Sequence, residues 1–372
     1  MRDGILFYIR PYPLADDNDS ILSYPLDDII HQAELYRTFT DYKICRTADP
    51  EKTYIPYSLF DKMYINPPDW VSPIGDENRI GSIKFPYITL EAIDPDVEAL
   101  VFKNSATKEI VGIEALQGHQ NLQTIYIDDK HSSLEKLDFP SDLFLPKLEH
   151  LEVRGVSPRN LDLSFIQNCS NIQTIIIRIW PTSSSTHEIT IPSLNHHFLE
   201  YIAISGGFES ITLTPSWYCP NLQGLYLSHN PIETINLGAL ANCPSLEVFL
   251  LNDYQGRTLN LDPLQHCPDL EELSLYHSQI EEIDLSPLKH CSNLRKLILS
   301  HNRLKNLDLS PLKTHPSLEK VNLSGNKLER LDLSPLVDCP NLKIVNLRKN
   351  PIDKFPVTIF KEFYQKDLEI IL

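Results

Sequence analysis

Ile283-Asp-Leu-Ser-Pro-Leu288 returns as Leu307-Asp-Leu-Ser-Pro-Leu312 and again as Leu331-Asp-Leu-Ser-Pro-Leu336. Weaker copies begin at Leu259, Ile235 and Ile211, so six starts fall at a constant spacing of 24 residues. Self-similarity at a fixed period marks a solenoid, in which each coil buries its apolar face only against its neighbours. Between the copies runs a second phrase, clearest in Cys291-Ser-Asn-Leu-Arg-Lys-Leu-Ile-Leu-Ser-His-Asn302. Joined, the two phrases read L-x-x-L-x-L-x-x-N-x-L followed by a variable half.

The L-x-L segment puts two leucines on one face of a short strand and the residue between them on the other. The first leucine position holds Leu100, Ile125, Leu151, Ile175, Ile202, Leu225, Phe249, Leu273, Leu297, Val321 and Val345. That is eleven coils over residues 96–352, with the period of 24 strict from Leu225 onward and looser before it. Ser286-Pro287, Ser310-Pro311 and Ser334-Pro335 read as an N-cap followed by proline at the first helical position, so a short helical turn is expected in each variable half.

On these motifs the chain resembles the leucine-rich-repeat family. The Asp-Leu-Ser-Pro-Leu turn and the Cys-Pro-Asn-Leu lead-in resemble the style of intracellular prokaryotic members, archaeal ones included. The resemblance implies an α/β repeat solenoid: a horseshoe with a concave parallel β-sheet, short helices or turns on the convex side, and a non-repeat α+β N-terminal region. It also implies a ladder of buried amides at Asn230, Asn302, Asn326 and Asn350 that bonds backbone groups left unpaired where the strand turns. Tyr254 and Ser278 occupy two of these slots, and interruptions are expected there. Such arrays commonly serve as regulatory or adaptor subunits, which makes a signalling enzyme such as a small GTPase or a phosphatase the kind of partner implied.

Residues 1–95 lack the repeat and are rich in aromatic residues. They read as a cap on the first coil or as a small separate domain, with a strand at Leu6–Ile9 and an amphipathic helix over Asp27–Thr38. A ligand-binding or enzymatic module here, with the repeats as its targeting surface, is the alternative function. Residues 353–372 read as a C-terminal cap, with an amphipathic helix followed by a strand over Leu368–Leu372.

The chain carries 33 Lys+Arg against 50 Asp+Glu, a net charge of −17. Phosphate contacts need basic surface, so nucleic acid is not the expected partner. No apolar run approaches the roughly 18 residues of a membrane span, and the first ten residues are too polar for a signal peptide. These features lead to the expectation of a cytoplasmic monomer that engages no membrane.

Six of the seven cysteines, Cys169, Cys219, Cys243, Cys267, Cys291 and Cys339, share one repeat slot, with His315 in the same slot. One small side chain per coil reads as core packing rather than as disulfides or zinc ligands. His229, Asp253, His277 and His301 share another slot in four consecutive coils. That column reads either as a solvated turn or as a set of imidazole and carboxylate metal ligands. No phosphate loop, nucleophile elbow or zinc-protease motif is present. A catalytic site, a resident metal and a cofactor are all left out of the reading.

The residue between the two leucines faces outward from the sheet. Tyr126, Ile176, Tyr226, Leu250 and Ile298 fill that position with apolar or aromatic groups. An exposed apolar row of this kind is expected to be an interaction surface. Glu152 shares the row, and Arg154, Arg178, Tyr276, Lys296 and Lys320 stand on its flanks. Trp180 opens a polar insertion between Ile175 and Ile202 that is expected to form a binding loop. Together these residues are the candidate surface for a protein partner.

Overall fold

The computed structural model describes residues 45–46, 53–56, 87–89, 98–103, 109–128, 134, 136–155, 160–179, 187–214, 216–352 and 368–372. The expected strand at Leu6–Ile9, the helix over Asp27–Thr38, Trp180 and the helical part of the C-terminal cap lie outside the described residues.

One parallel sheet of 12 strands runs through the molecule in chain order, from Ala99–Lys103 to Glu369–Ile371. The first-leucine positions pair directly across it, Leu100 with Ile125, then Leu151, Ile175, Ile202 and onward to Val345. The sequence alignment of the eleven coils is therefore the pairing register, including the loosely spaced first half. Leu100 and, from Ile125 and Ile127 to Val345 and Leu347, both L-x-L positions of each strand point into a single apolar core. Side chains alternate across a strand, and a slip of one residue would turn that core outward.

The opposite side of the coils changes character along the chain. Parallel strands Thr53–Pro56, Tyr87–Thr89, Glu109–Val111 and Lys136–Leu137 pair in one short sheet. Asn160–Asp162, His187–Ile191 and Phe208–Leu213 pair in another. From Gly238 onward this side is built of 3₁₀ turns of three to five residues and one short α-helix, Ser334–Val337. Such turns are wider than a strand, whereas strands hold to about 4.8 Å. The second half therefore bends with the long sheet on its concave side. Two of these strands, Thr53–Pro56 and Tyr87–Thr89, precede residue 95.

The helical turns follow Ser-Pro as expected, but serine is not the cap. In Ser286–His290 the cap position is Leu285, and serine and proline are the first two helical residues. Two residues before the serine, Asp284 Oδ1 accepts the Ser286 backbone N–H at 2.8 Å. Asp162, Asn236, Asn260, Asp308 and Asp332 make the same bond in their own coils. The conformation-fixing acceptor in Asp-Leu-Ser-Pro-Leu is thus the aspartate, through an Asx turn.

The asparagine ladder is present. Asn302 Nδ2 donates to the carbonyls of Leu275, at 2.7 Å, and Leu299, at 3.1 Å, while its Oδ1 accepts the Ile280 N–H. Asn326 donates to Leu299 and Leu323, and Asn350 to Leu323 and Leu347. Each amide therefore clamps two successive coils. The two departures are patched rather than left open. Ser278 Oγ accepts the Tyr254 N–H at 3.1 Å and donates to the Leu251 carbonyl at 3.4 Å. The Tyr254 ring turns over Gly256, where a Cβ would lie 2.3 Å from it, and its hydroxyl donates to the Thr258 carbonyl.

A buried polar group stripped of its partner costs far more than the bond itself contributes. Asn302→Ala is expected to lower unfolding free energy by about 2–3 kcal/mol, measured by urea denaturation. The exposed Asn306→Ala should stay within about 0.5 kcal/mol of the parent. Equal losses at the two positions would show that the ladder carries no special stability.

Candidate interaction surface

The outward row stands in register across the long sheet. Tyr126 pairs with Glu152, Glu152 with Ile176 and Ile176 with Ala203. The row continues through Tyr226, Leu250, Ser274, Ile298, Asn322 and Asn346. It does not all face water. Tyr126 is 3% exposed, and Ile176 and Leu250 are each 5% exposed. Tyr226 and Ile298 are half-buried. The expectation of a continuous apolar stripe open to solvent is corrected accordingly.

The cause is lateral packing. Parallel strands about 4.8 Å apart place equivalent side chains in van der Waals contact, and larger flanking groups close over the smaller ones. Arg154 donates from Nε to the buried Glu152 carboxylate and lies over the Tyr126 ring, 5.9 Å from its centroid. Gly224 forms the floor beneath Tyr226. A Cβ at that glycine would lie 2.4 Å from the Tyr226 ring and 2.9 Å from the Tyr201 ring. The Tyr201 hydroxyl in turn donates to Gln223 Oε1. Tyr201 and Gly224 stand one residue before the first leucine of their strands. The same register argument shifted by two positions would have found them.

Toward the C-terminal half the face opens and becomes charged. Tyr276 is 37% exposed and stands edge-on to the His301 ring at 5.5 Å. Lys296 Nζ reaches the Glu272 carboxylate at 3.2 Å. Burial pushes Glu272 above the ordinary carboxylate range, with Lys296 and Lys320 working against it. Arg178 is half-buried, and its charge works against protonation of His229. Of the expected surface residues, Tyr226, Tyr276, Lys296, Ile298 and Lys320 offer accessible area together. Tyr126, Glu152, Ile176 and Leu250 form the packed ground around them.

The histidine column has a backbone explanation. His229, Asp253, His277, His301 and Lys349 all adopt φ between 55° and 67°, and Gly325 has φ 68°. Aspartate and histidine tolerate this left-handed turn better than most residues. Asp253 accepts from His229 Nδ1 at 2.9 Å through one oxygen and meets His277 Nδ1 at 2.8 Å through the other. The hydrogen bond to Asp253 raises His229 above the ordinary imidazole range. With both carboxylate oxygens engaged, the column is a turn stitched by side chains. Among the described residues no group of three or more His, Cys, Asp or Glu is placed to hold a metal ion.

The six cysteines of the shared slot are free and buried. Cys267, Cys291 and Cys339 donate to carbonyls of the preceding coil at 3.2–3.4 Å. Burial pushes Cys169, Cys267 and Cys291 up to about 12 and Cys219 to about 11, which removes them as nucleophiles. His315 fills the same slot, its Nε2 3.0 Å from the Cys291 carbonyl. His196, buried, occupies the slot three residues before Leu199 in its coil, a member that the sequence reading passed over.

Two family models match the chain. Residues 292–352 match the leucine rich repeat model, and residues 162–257 match the model of the BspA type leucine rich repeat region, which has six copies. With the 24-residue register and the amide ladder, these matches show that the chain carries leucine-rich-repeat domains over those residues. Such domains are in general protein–protein interaction modules. No curated protein matches the sequence.

Solved structures resemble it more distantly. The crystal structure of a TLR13–ssRNA13 complex is 20% identical with a TM-score of 0.49, covering 77% of this chain and 45% of that one. The chain therefore spans less than half the length of that TLR13 chain. An internalin, inlF, of Listeria monocytogenes is 20% identical with a TM-score of 0.44, covering 71% of this chain and 77% of that one. A leucine-rich-repeat protein of Leptospira interrogans is 18% identical with a TM-score of 0.47, covering 77% and 84%.

Two tests address the packing of this surface and its column. Gly224→Ala is expected to cost about 1–3 kcal/mol by overpacking. In combination with Tyr226→Ala the loss should fall short of the sum of the two single losses, because the two sites share one contact. Full additivity in urea melts would refute the contact.

Burial holds His315 and His196 below the ordinary imidazole value of 6.5. Below that pH the unfolded chain takes up protons first, so their contribution to stability is complete above 6.5 and shrinks as the pH falls. His229, raised by Asp253, acts in the opposite sense: its contribution is present at low pH and is lost as pH rises through its raised value. His315→Cys should therefore lose less stability than the parent between about pH 8 and pH 5. Parallel pH profiles would overturn this assignment.

Proposed function

We propose that the protein is a non-enzymatic scaffold or adaptor that holds a protein partner on the concave sheet, over its C-terminal half. The observation that supports this reading is the cluster of accessible apolar and cationic side chains on one rigid strand face: Tyr226, Tyr276, Lys296, Ile298 and Lys320. Aromatic anchors ringed by polar groups are what binding hot spots use. The strands beneath are fixed by in-register pairing, so little ordering entropy is lost when a partner binds. A signalling enzyme such as a small GTPase or a phosphatase is the kind of partner this reading favours. A monomer in the cytoplasm is part of the same proposal, and the six free, carbonyl-bonded thiols suit a reducing compartment.

A photo-crosslinking amino acid tests the face directly. Placed at Tyr276 or Ile298, it should capture one and the same partner in cells. Placed at His266 or Lys313, exposed on the opposite side of the coils, it should not. Capture of equal or greater yield from the opposite side would defeat the proposal.

A further inference from the structure

Residues 179–256 hold no lysine or arginine, although 33 occur in the chain, and they carry six carboxylates: Glu188, Glu200, Glu209, Glu233, Glu247 and Asp253. Where the coils enter the long sheet, the position two residues before the first leucine is Glu200 and Glu247 within this span. Backbone bonds from Gln223 to Glu200 and from Glu247 to Gln223 hold that slot in register. In later coils Arg295 and Lys343 neutralise Glu271 and Glu319 in the same slot. Among the described residues no cation offsets Glu200 or Glu247. Burial pushes both above the ordinary carboxylate range, and Glu271 and Asp269 add to the push on Glu247.

The same edge carries a second, outer ladder of asparagines, and this span departs from it. Four residues before the first leucine, Asn171, Asn221 and Asn341 donate from Nδ2 to a backbone carbonyl of the preceding coil at 2.6–2.7 Å. In the coil of Ile202 that slot holds Phe198, 54% exposed. Three residues further upstream, Asn168 donates to the Ser141 carbonyl in the same way. In the coil of Leu225 that slot holds Tyr218, 50% exposed. The exposed Phe144 shares the Tyr218 slot, so three of the five exposed large apolar side chains among the described residues stand on this edge. The exposed His197 ring lies edge-on to Tyr218 at 5.4 Å, and Asn221 holds the His197 carbonyl, which joins the two aromatic coils. A ring half in water makes neither the bond that asparagine makes nor a full burial, so these two replacements do not serve the stacking.

We infer that this edge, in the coils of Ile202 and Leu225, is a docking site for an extended, arginine-bearing segment of a partner protein. Aromatic faces attract guanidinium groups through the ring quadrupole and by stacking. Carboxylates with no cation beside them take the same group by charge-assisted hydrogen bonds. Phe198, Tyr218 and Glu200 supply both features within two adjacent coils, about 4.8 Å apart. Charge decides the class of partner. A nucleic acid strand would also stack on the rings, but binding a single strand needs a positively charged groove, and residues 179–256 offer carboxylates instead. The inference adds a second contact to the proposed function. Tyr276, Lys296, Ile298 and Lys320 lie in later coils, and neither site needs the other.

The test uses the full chain and a fluorescein-labelled Gly-Arg-Gly-Arg-Gly-Arg peptide, read by fluorescence anisotropy. Binding should weaken as salt rises and should exceed that of the lysine counterpart. It should fall roughly tenfold in Phe198→Asn/Tyr218→Asn. Asparagine is the residue that other coils use in both slots, so this variant should melt like the parent. Glu200→Gln/Glu247→Gln should weaken binding as well. Glu209→Gln/Glu233→Gln makes the same change in net charge at exposed positions away from this edge and should leave binding near the parental value. Four results would each overturn the inference: no binding of the arginine peptide, undiminished binding in the asparagine variant, equal weakening by the two glutamate pairs, or tighter binding of a single-stranded oligonucleotide.

Discussion

Where each strand turns out of the long sheet, its last carbonyls point into an apolar interior with no strand to receive them. Everything else in the array depends on how those groups are bonded. Asn302, Asn326 and Asn350 each supply an amide that reaches the carbonyl of its own coil and that of the coil before. A buried carbonyl without such a donor would lose a large part of what leucine burial contributes. The ladder therefore fixes the distance between coils as well as satisfying them. The thiols and His315 do the same along a second line, bonding carbonyls on the other side of the core.

Because each coil is joined to the next in this way, position in the repeat becomes position in space. A slot filled by similar residues becomes a column, and the column takes on properties that no single residue has. Five non-glycine residues in the left-handed slot make a stitched turn centred on Asp253. Alternating Glu271, Arg295, Glu319 and Lys343 make a line of exposed ion pairs, worth little for stability but locally neutral. Function is read from these contrasts between columns.

The accessible part of the face lies on the C-terminal coils, where the strands are three residues long. A partner in the concavity would meet Tyr276 and Ile298 as anchors and Lys296 and Lys320 as charges. Electrostatic matching of this kind favours orientation and association rate more than raw affinity.

The eleven coils, their strand register and the amide ladder were legible in the one-dimensional pattern, because a 24-residue period repeats one set of backbone relations. Leu100, Ile125 and Leu151 were aligned from irregular spacing, and they pair directly. The same pattern pointed to a helical turn after Ser-Pro but assigned its cap to the serine, since an aspartate two residues upstream looks like any exposed polar residue until the backbone bends toward it. Burial was beyond the pattern. Tyr126, Ile176 and Leu250 occupy the outward position as read, yet all three are buried, Tyr126 beneath Arg154. Whether a side chain meets water is set by groups tens of residues away, brought alongside only when the coils stack. The His229–Asp253–His277 column shows the same limit: sequence placed the three in line, and only the left-handed turn explained the choice of residues. Periodicity fixes which residues are neighbours, and the three-dimensional packing decides what each neighbour covers.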